Sequence, residues 1–471
     1  MSELQAGSAP RVPIVPSWPW WLLGIGAVAL SLFVHPAAGV LVVVLAVIQR
    51  ARPLDFLTSY LVVVALGSFV NYGNNTLTFQ LTVLTGFLVF MLYCYLLQRR
   101  WDSFVVPRGP ATAPLLIYIA LTAANFVRGM VSGNSPRYGG VELVAMLVLA
   151  SLLMVASRRW SKTELRYALV VLWVLGCGHF LLGAVTYATI HVRTIGVYFS
   201  GASSVITMLL FNYALRAPTR KGMLLWMLAL SVPLAHEFLS FTRGYWLATF
   251  IAVLFSLAVY IGRTGDVRAR AGRATLAVAL FAGVVFGGMI VLAGVLGIGH
   301  IVEVTSTRLA SSGGTEYSWQ TQSNFYRLLE SGYAIGLFME NPIFGHGLGY
   351  YFVMNDPLTN RLWEQYYVHE NYIMIALKQG LIGLGVWLWM FLGFCRAGLA
   401  GRSLPDIEEQ SWCTGTASVV VWLVVYMLFH FPLAETNTTF PFALMMGATM
   451  AYSSTDTYAL RWKGRSSRPA G

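Results

Sequence analysis

His369 opens the segment Val368-His369-Glu370-Asn371-Tyr372, and Gly380-Leu381-Ile382-Gly383 follows it along the same apolar run. An imidazole near neutral pH can take a proton from a hydroxyl, which is general-base chemistry. The two glycines would let helices pack closely beneath such a histidine. The same spacing also fits a hydrogen-bonded histidine at a helix start, and spacing alone does not choose. Two arginines share this outward side. Arg243 lies in Leu239-Ser240-Phe241-Thr242-Arg243-Gly244 and Arg193 in His191-Val192-Arg193-Thr194-Ile195-Gly196. The guanidinium fork matches phosphate oxygens and keeps its charge in a partly dry site. Together, two forks near an outer leaflet would neutralise a lipid-linked pyrophosphate. Interfacial arginines also snorkel to lipid headgroups, and position alone favours that plainer reading for each.

Other motifs narrow the chemistry. Asn341-Pro342-Ile343-Phe344-Gly345-His346-Gly347-Leu348-Gly349 looks superficially like a nucleotide loop, but no βαβ unit surrounds it. It is expected to be a tight turn that approaches a ligand or the membrane, with His346 structural. Neither HExxH nor a paired-carboxylate spacing occurs, so no metal and no cofactor is expected. Cys94, Cys177, Cys395 and Cys413 sit in or at the ends of apolar runs without CxxC spacing, which argues against a disulfide framework or zinc site.

The elements that must position these residues are membrane helices. The chain is 57% hydrophobic and only 11% charged, with mean hydropathy +0.66. Soluble domains carry about 25% charged residues. Apolar runs of about 20 residues, the length a bilayer requires, recur along the chain. They lie near 18–34, 37–49, 54–72, 76–97, 113–129, 139–157, 165–187, 196–215, 222–240, 244–262, 274–298, 370–395, 412–431 and 438–454. The second is short and pairs with its neighbour as a possible re-entrant hairpin, so 12 to 14 crossings are expected. The fold class is therefore all-α, a polytopic transmembrane bundle.

Loop charge orients it. Most of the 31 Lys and Arg residues fall in alternate short loops, such as Arg99–Arg108, Arg158–Arg166 and Arg263–Arg273, and in the basic tail from Arg461. The positive-inside rule puts these loops and both termini in the cytoplasm. All of the eight histidines except His179 gather on the other face. The net charge of +12 thus orients the protein rather than binding nucleic acid. Expected regions are a cytoplasmic tail at 1–17, retained ahead of an uncleaved first span, and helices at 18–298. A large outward loop at 299–369, helices at 370–455 and a basic cytoplasmic tail at 456–471 complete the chain. The loop is too long for a mere connector. Its middle, Asn324–Glu340, spaces Phe325, Leu328, Leu329, Ile335, Leu337 and Phe338 as an amphipathic helix at the membrane surface would.

Taken in order, the Thr-Arg-Gly around Arg243, the glycine turn at 341–349, and His369 with its following glycines resemble the O-antigen ligase and polymerase superfamily of bacterial inner-membrane glycosyltransferases. The likeness spans roughly 190–400 and includes the large late loop, here periplasmic. It implies transfer of a glycan from undecaprenyl pyrophosphate to a hydroxyl at the periplasmic face. The acceptor would be lipid A-core in a ligase or another lipid-linked glycan in a polymerase. It further implies His369 as the group that activates the acceptor, with Arg193, Arg243 and, in Ser323-Asn324-Phe325-Tyr326-Arg327, Arg327 on the pyrophosphate; Glu370 and Asn371 would support. Ligases usually carry Asn, Ser or Gln directly after the histidine, whereas Glu370 stands here, which leaves ligase and polymerase both open. Two other classes compete. A lipid-linked sugar transporter or flippase would need charge near mid-membrane and often a repeat with broken helices. A non-catalytic envelope-assembly partner would give His369 no special role.

Overall fold

The structure, a computed structural model, describes residues 107–157, 160–190, 200–239, 242–262, 266–296, 319–355, 362–430 and 436–453. The spans expected before residue 100, the two tails expected in the cytoplasm, and the segment holding His191 and Arg193 lie outside the described residues. Those described form twelve helices and one small sheet, so the chain is all-α in class. In order the helices are α1 (Thr112–Val131), α2 (Pro136–Ala150), α3 (Leu152–Ala156), α4 (Lys162–Ile190), α5 (Ser200–Arg216) and α6 (Arg220–Leu239). Then come α7 (Arg243–Ile261), α8 (Val267–Leu296), α9 (Trp319–Glu340), the strands β1 (Phe352–Asn355) and β2 (Leu362–Gln365), α10 (Asn371–Ala400), α11 (Ile407–Tyr426) and α12 (Thr436–Ser453).

Among the described residues four helices are long and apolar enough to cross a bilayer: α1, α7, α8 over Val267–Gly288, and α10 with the turn through Ser403. Each apolar run expected from 113 onward has become a helix, though 139–157 is two, broken at Ser151. The centre is occupied by α5, buried from 201 to 217, and α11, buried from 409 to 420. A helix enclosed on every side and offered no water must satisfy its polar groups on its neighbours. Accordingly Asn212 of α5 donates to Ser256 of α7 and to Ser418 of α11, each at 3.1 Å. Small residues let these helices close up; a Cβ on Gly201 would overlap the Thr438 side chain of α12.

α10 packs against α1, α11 and α12, and α9 lies across its first half. It is not one continuous helix. Gly380 has φ 69° and ψ −170°, a conformation essentially reserved for glycine, and splits α10 into two segments. The glycine turn enters that split. N–H groups of His346 and Gly347 donate to the carbonyls of Leu377 and Lys378, both at 2.8 Å. On the far side Leu381 N–H donates to Pro342 O at 2.8 Å and Ile382 N–H to Ile343 O at 3.3 Å. The backbone groups orphaned by the break are thus paired with the turn. Arg128 of α1 adds a clamp, its guanidinium donating to Phe344 O at 2.5 Å and Gly345 O at 2.9 Å.

One sequence expectation is corrected here. Gly380 does not serve close packing of one helix on another, because it breaks its helix to admit a turn. Gly383 faces its own helix, where an added Cβ would meet the Gln379 side chain. The glycine turn also packs closely on other backbone. A Cβ on Gly347 would lie 2.8 Å from Gly129 Cα, and one on Gly349 2.4 Å from Ser135 O. His346 is structural, with Nε2 2.7 Å from Leu337 O and its ring stacked on Tyr350.

A buried ion pair completes the frame. Lys378 Nζ meets Glu142 Oε1 of α2 at 2.6 Å, both side chains being almost wholly buried. The same ammonium donates to Tyr350 O at 2.5 Å and Tyr366 O at 2.8 Å, while Gly349 N–H donates to Glu142 Oε2 at 2.8 Å. Lys378 therefore ties both flanks of the β-hairpin to α10, and its charge is spent inside the protein. Phe352 pairs with Gln365 across that antiparallel hairpin.

Candidate active site

α9 is amphipathic, as the spacing of its apolar residues predicts, and it carries them on two stripes. Leu329, Leu337 and Phe338 pack on a cluster formed by Ala334, Phe352, Met354, Val368, Met374 and Leu377. Phe325, Leu328 and Ile335 face outward, 46%, 74% and 47% exposed. Phe325 and Leu328 line an open, largely apolar groove with Gly332, Tyr333, Gly336 and Glu340. The inward stripe carries Arg327, Glu330 and Ser331, at helical i, i+3 and i+4 spacing. A polar group turned inward must find partners there, and Glu330 and Ser331 find them in β2 and in the segment that opens α10.

His369 stands just before α10, at the point where the chain returns from the hairpin. Its Nδ1 lies 2.6 Å from Glu330 Oε2, and its backbone N–H donates to that same oxygen at 3.2 Å. The other carboxylate oxygen of Glu330 accepts from Gln365 Nε2 of β2 at 2.6 Å. Glu330 is 2% exposed whereas the His369 side chain is 26% exposed. The ring is therefore gripped on one edge and open on another. Beside it, Ser331 donates to Glu370 Oε2 at 2.5 Å. His369 caps nothing: the residue at the N-cap of α10 is Glu370, and no side chain bonds to that helix end.

Further rings surround the histidine. Tyr367 meets it edge-on at 5.3 Å, and His430, beyond the end of α11, lies at 6.5 Å. His430 touches Tyr426, which stacks at 4.2 Å on Tyr245 in the first turn of α7. The start of α7 is close-packed here, since a Cβ on Gly244 would come 3.1 Å from the Phe429 side chain. Arg243, the first residue of α7, thus belongs to an element that reaches His369 through Tyr245, Tyr426 and His430. Arg243 is half-buried and makes no ion pair with the described residues. It sits at the positive end of the α7 dipole, where an anion is favoured.

The structure accordingly gathers His369, Glu370, Asn371 and Arg327 around one corner of α9 and α10, with Arg243 on a neighbouring element. Arg193 lies outside the described residues. Asn371 is buried, and its N–H donates to Met427 O at 3.1 Å, which anchors α10 to the end of α11. The Nε of Arg327 is buried without a hydrogen-bond partner.

Glu330 and Gln365 escaped the sequence reading. A weak signal was present, because a carboxylate on a helix that is otherwise largely apolar demands an explanation. Its partner, however, lies 39 residues further on, and nothing local connects them. Outside the membrane region, burial raises the Tyr350 and Tyr366 phenols above their ordinary range; for Tyr366 the neighbouring Tyr367 and Tyr138 add to the rise.

No curated protein matches the chain. Residues 228–388, which hold Arg243, Arg327, Glu330, the glycine turn and His369, do match a family described as O-antigen ligase. The match and the four bilayer-length helices make this an integral membrane protein. That segment is similar to the O-antigen ligase family and supports the O-antigen ligase/polymerase superfamily as the chain's likeness.

Proposed function

We propose that the protein is a periplasm-facing glycosyltransferase that moves a glycan from undecaprenyl pyrophosphate to an acceptor hydroxyl. The observation that carries this reading is His369, held at Nδ1 and partly open to the outside, beside an arginine-bearing face and within the matched segment. The imidazole Nε2 takes the proton from the acceptor O–H. The acceptor oxygen attacks the anomeric carbon, and the bond from that carbon to the pyrophosphate oxygen breaks with its electron pair leaving on oxygen. One displacement inverts the anomeric configuration. Charge builds on the leaving pyrophosphate, so Arg243, Arg193 and Arg327 are assigned to stabilise it. Base and cations suffice without a metal, and because the donor is already a pyrophosphate no ATP is needed.

The cytoplasmic face would carry the basic loops and both termini, and the membrane would be the bacterial inner one. A ligase with lipid A-core as acceptor is favoured, and a repeat-unit polymerase is the runner-up through Glu370. The transporter reading is weaker, since Lys378 and Glu142, the charges deepest in their helices, neutralise each other. The test is transfer by the purified protein from lipid-linked glycan to either acceptor in the presence of a chelator. Product with inverted linkage supports the reading. Scrambling of the donor across proteoliposomes with no product would replace it with the transporter.

A further inference from the structure

We infer that Glu330 is the positioning residue that sets the tautomer of His369. This rests on the proposed role of His369 as base and names what makes that histidine competent. A carboxylate can only accept, so the 2.6 Å contact requires the proton on Nδ1. The lone pair is then left on Nε2, the nitrogen turned away from Glu330. A histidine of the other tautomer would present N–H to the acceptor hydroxyl and could take nothing from it.

The carboxylate is itself fixed. The His369 N–H and Nδ1–H occupy Oε2, and the Gln365 amide occupies Oε1. Three donors from β2 and the α10 approach therefore hold an acceptor based on α9, and turning the carboxylate would break these bonds. With 2% exposure, no water competes for it. The ring cannot rotate without losing Glu330 and the edge of Tyr367. Once Nε2 has taken its proton, the imidazolium faces Glu330 across 2.6 Å, and the charge that develops in the reaction is already matched. The other ionisable groups around the ring are Arg327 on α9, Glu370 beside it in the chain, and His430 beyond α11. Among the described residues Nδ1 makes its hydrogen bond with Glu330, so the assignment falls to that carboxylate.

The role is one of orientation, so the readout must separate it from folding. Glu330→Gln is nearly isosteric and removes the charge; its amide can turn an N–H toward Nδ1 and trap the wrong tautomer. The expected result is a fall in kcat on the order of 10²- to 10⁴-fold, as for loss of general-base catalysis, with KM for the lipid-linked donor little changed. Glu330→Asp keeps the charge at shorter reach and should recover part of the loss. Nitrogen-15 magnetic resonance on histidine-labelled protein reads the tautomer directly, with His369→Ala identifying the signal. Wild type should show Nδ1–H, and Glu330→Gln should not. If Glu330→Gln keeps wild-type kcat while His369→Ala is inactive, Glu330 has no such role and the base assignment survives. If His369→Ala is itself fully active, the reading beneath this one fails as well. Should Glu330→Gln not fold, an Nε2–H signal in the wild-type protein would overturn the inference without it.

Discussion

Replacing Gly380 by alanine should cost the protein both stability and transfer, and the size of the loss can be worked from the break in α10. At φ 69° and ψ −170° a side chain costs about 1–3 kcal/mol in backbone strain alone. The new Cβ would also lie 2.1 Å from Ile343 O and 2.3 Å from Ile343 C. Both are backbone atoms, so neither can swing aside as a flexible side chain would. The turn must move, and four backbone hydrogen bonds join it to α10. Each is worth about 1 kcal/mol net, so losing two of them brings the total to about 3–5 kcal/mol. Gly385 supplies the control, lying in the same helix with nothing within 4 Å of its Cβ. Gly385→Ala should be neutral or gain up to about 1 kcal/mol in helix propensity. Thermal unfolding in detergent, with transfer assayed on the folded fraction, separates the two variants. A melting temperature for Gly380→Ala at or above that of Gly385→Ala would refute the account of the break.

Other perturbations test other joints. Lys378→Met alone should cost about 3–5 kcal/mol by stranding the buried Glu142, and adding Glu142→Leu should return part of it; thermal unfolding of the single and double variants measures the coupling. Arg243→Ala should lower turnover of the lipid-linked donor, and Arg243→Lys should restore only part, because an ammonium lacks the bidentate fork; a wild-type rate for the alanine variant would remove Arg243 from the site. At the far end of α11, Asp406 accepts from the Glu408 and Glu409 N–H groups and pairs with Lys162. Burial would raise its carboxyl, but Lys162 and those N–H groups outweigh it and hold the carboxyl below the ordinary carboxylate range. Its contribution is therefore present above that ordinary value and is lost as pH falls through the lowered one, and Asp406→Asn should flatten this acid limb of an unfolding profile.

Much of this architecture was legible because a bilayer imposes a length. Thr112–Val131 and Arg243–Ile261 fall within a residue or two of the apolar runs that announce them. Pattern fails where one glycine changes its meaning with context. Gly380 in an apolar run reads as a small residue for helix packing, and only the turn beside it shows a backbone break. The same limit hid the arrangement of α9. Spacing gave an amphipathic helix, but which face turns inward is decided by what Glu330 and Ser331 can pair with, and those partners come from β2 and the start of α10. His369 was singled out by its place at the exit of the long loop, with the glycines that follow it. Glu330 was not, since its importance exists only in the contact it makes.

The most direct test of the central claim is single-turnover glycan transfer by purified His369→Ala protein, compared with wild type at saturating lipid-linked donor and acceptor. If His369 takes the acceptor proton, the chemical step should slow on the order of 10²- to 10⁴-fold, while the donor still binds and the protein unfolds at the wild-type temperature. A chemical step at the wild-type rate would contradict the account.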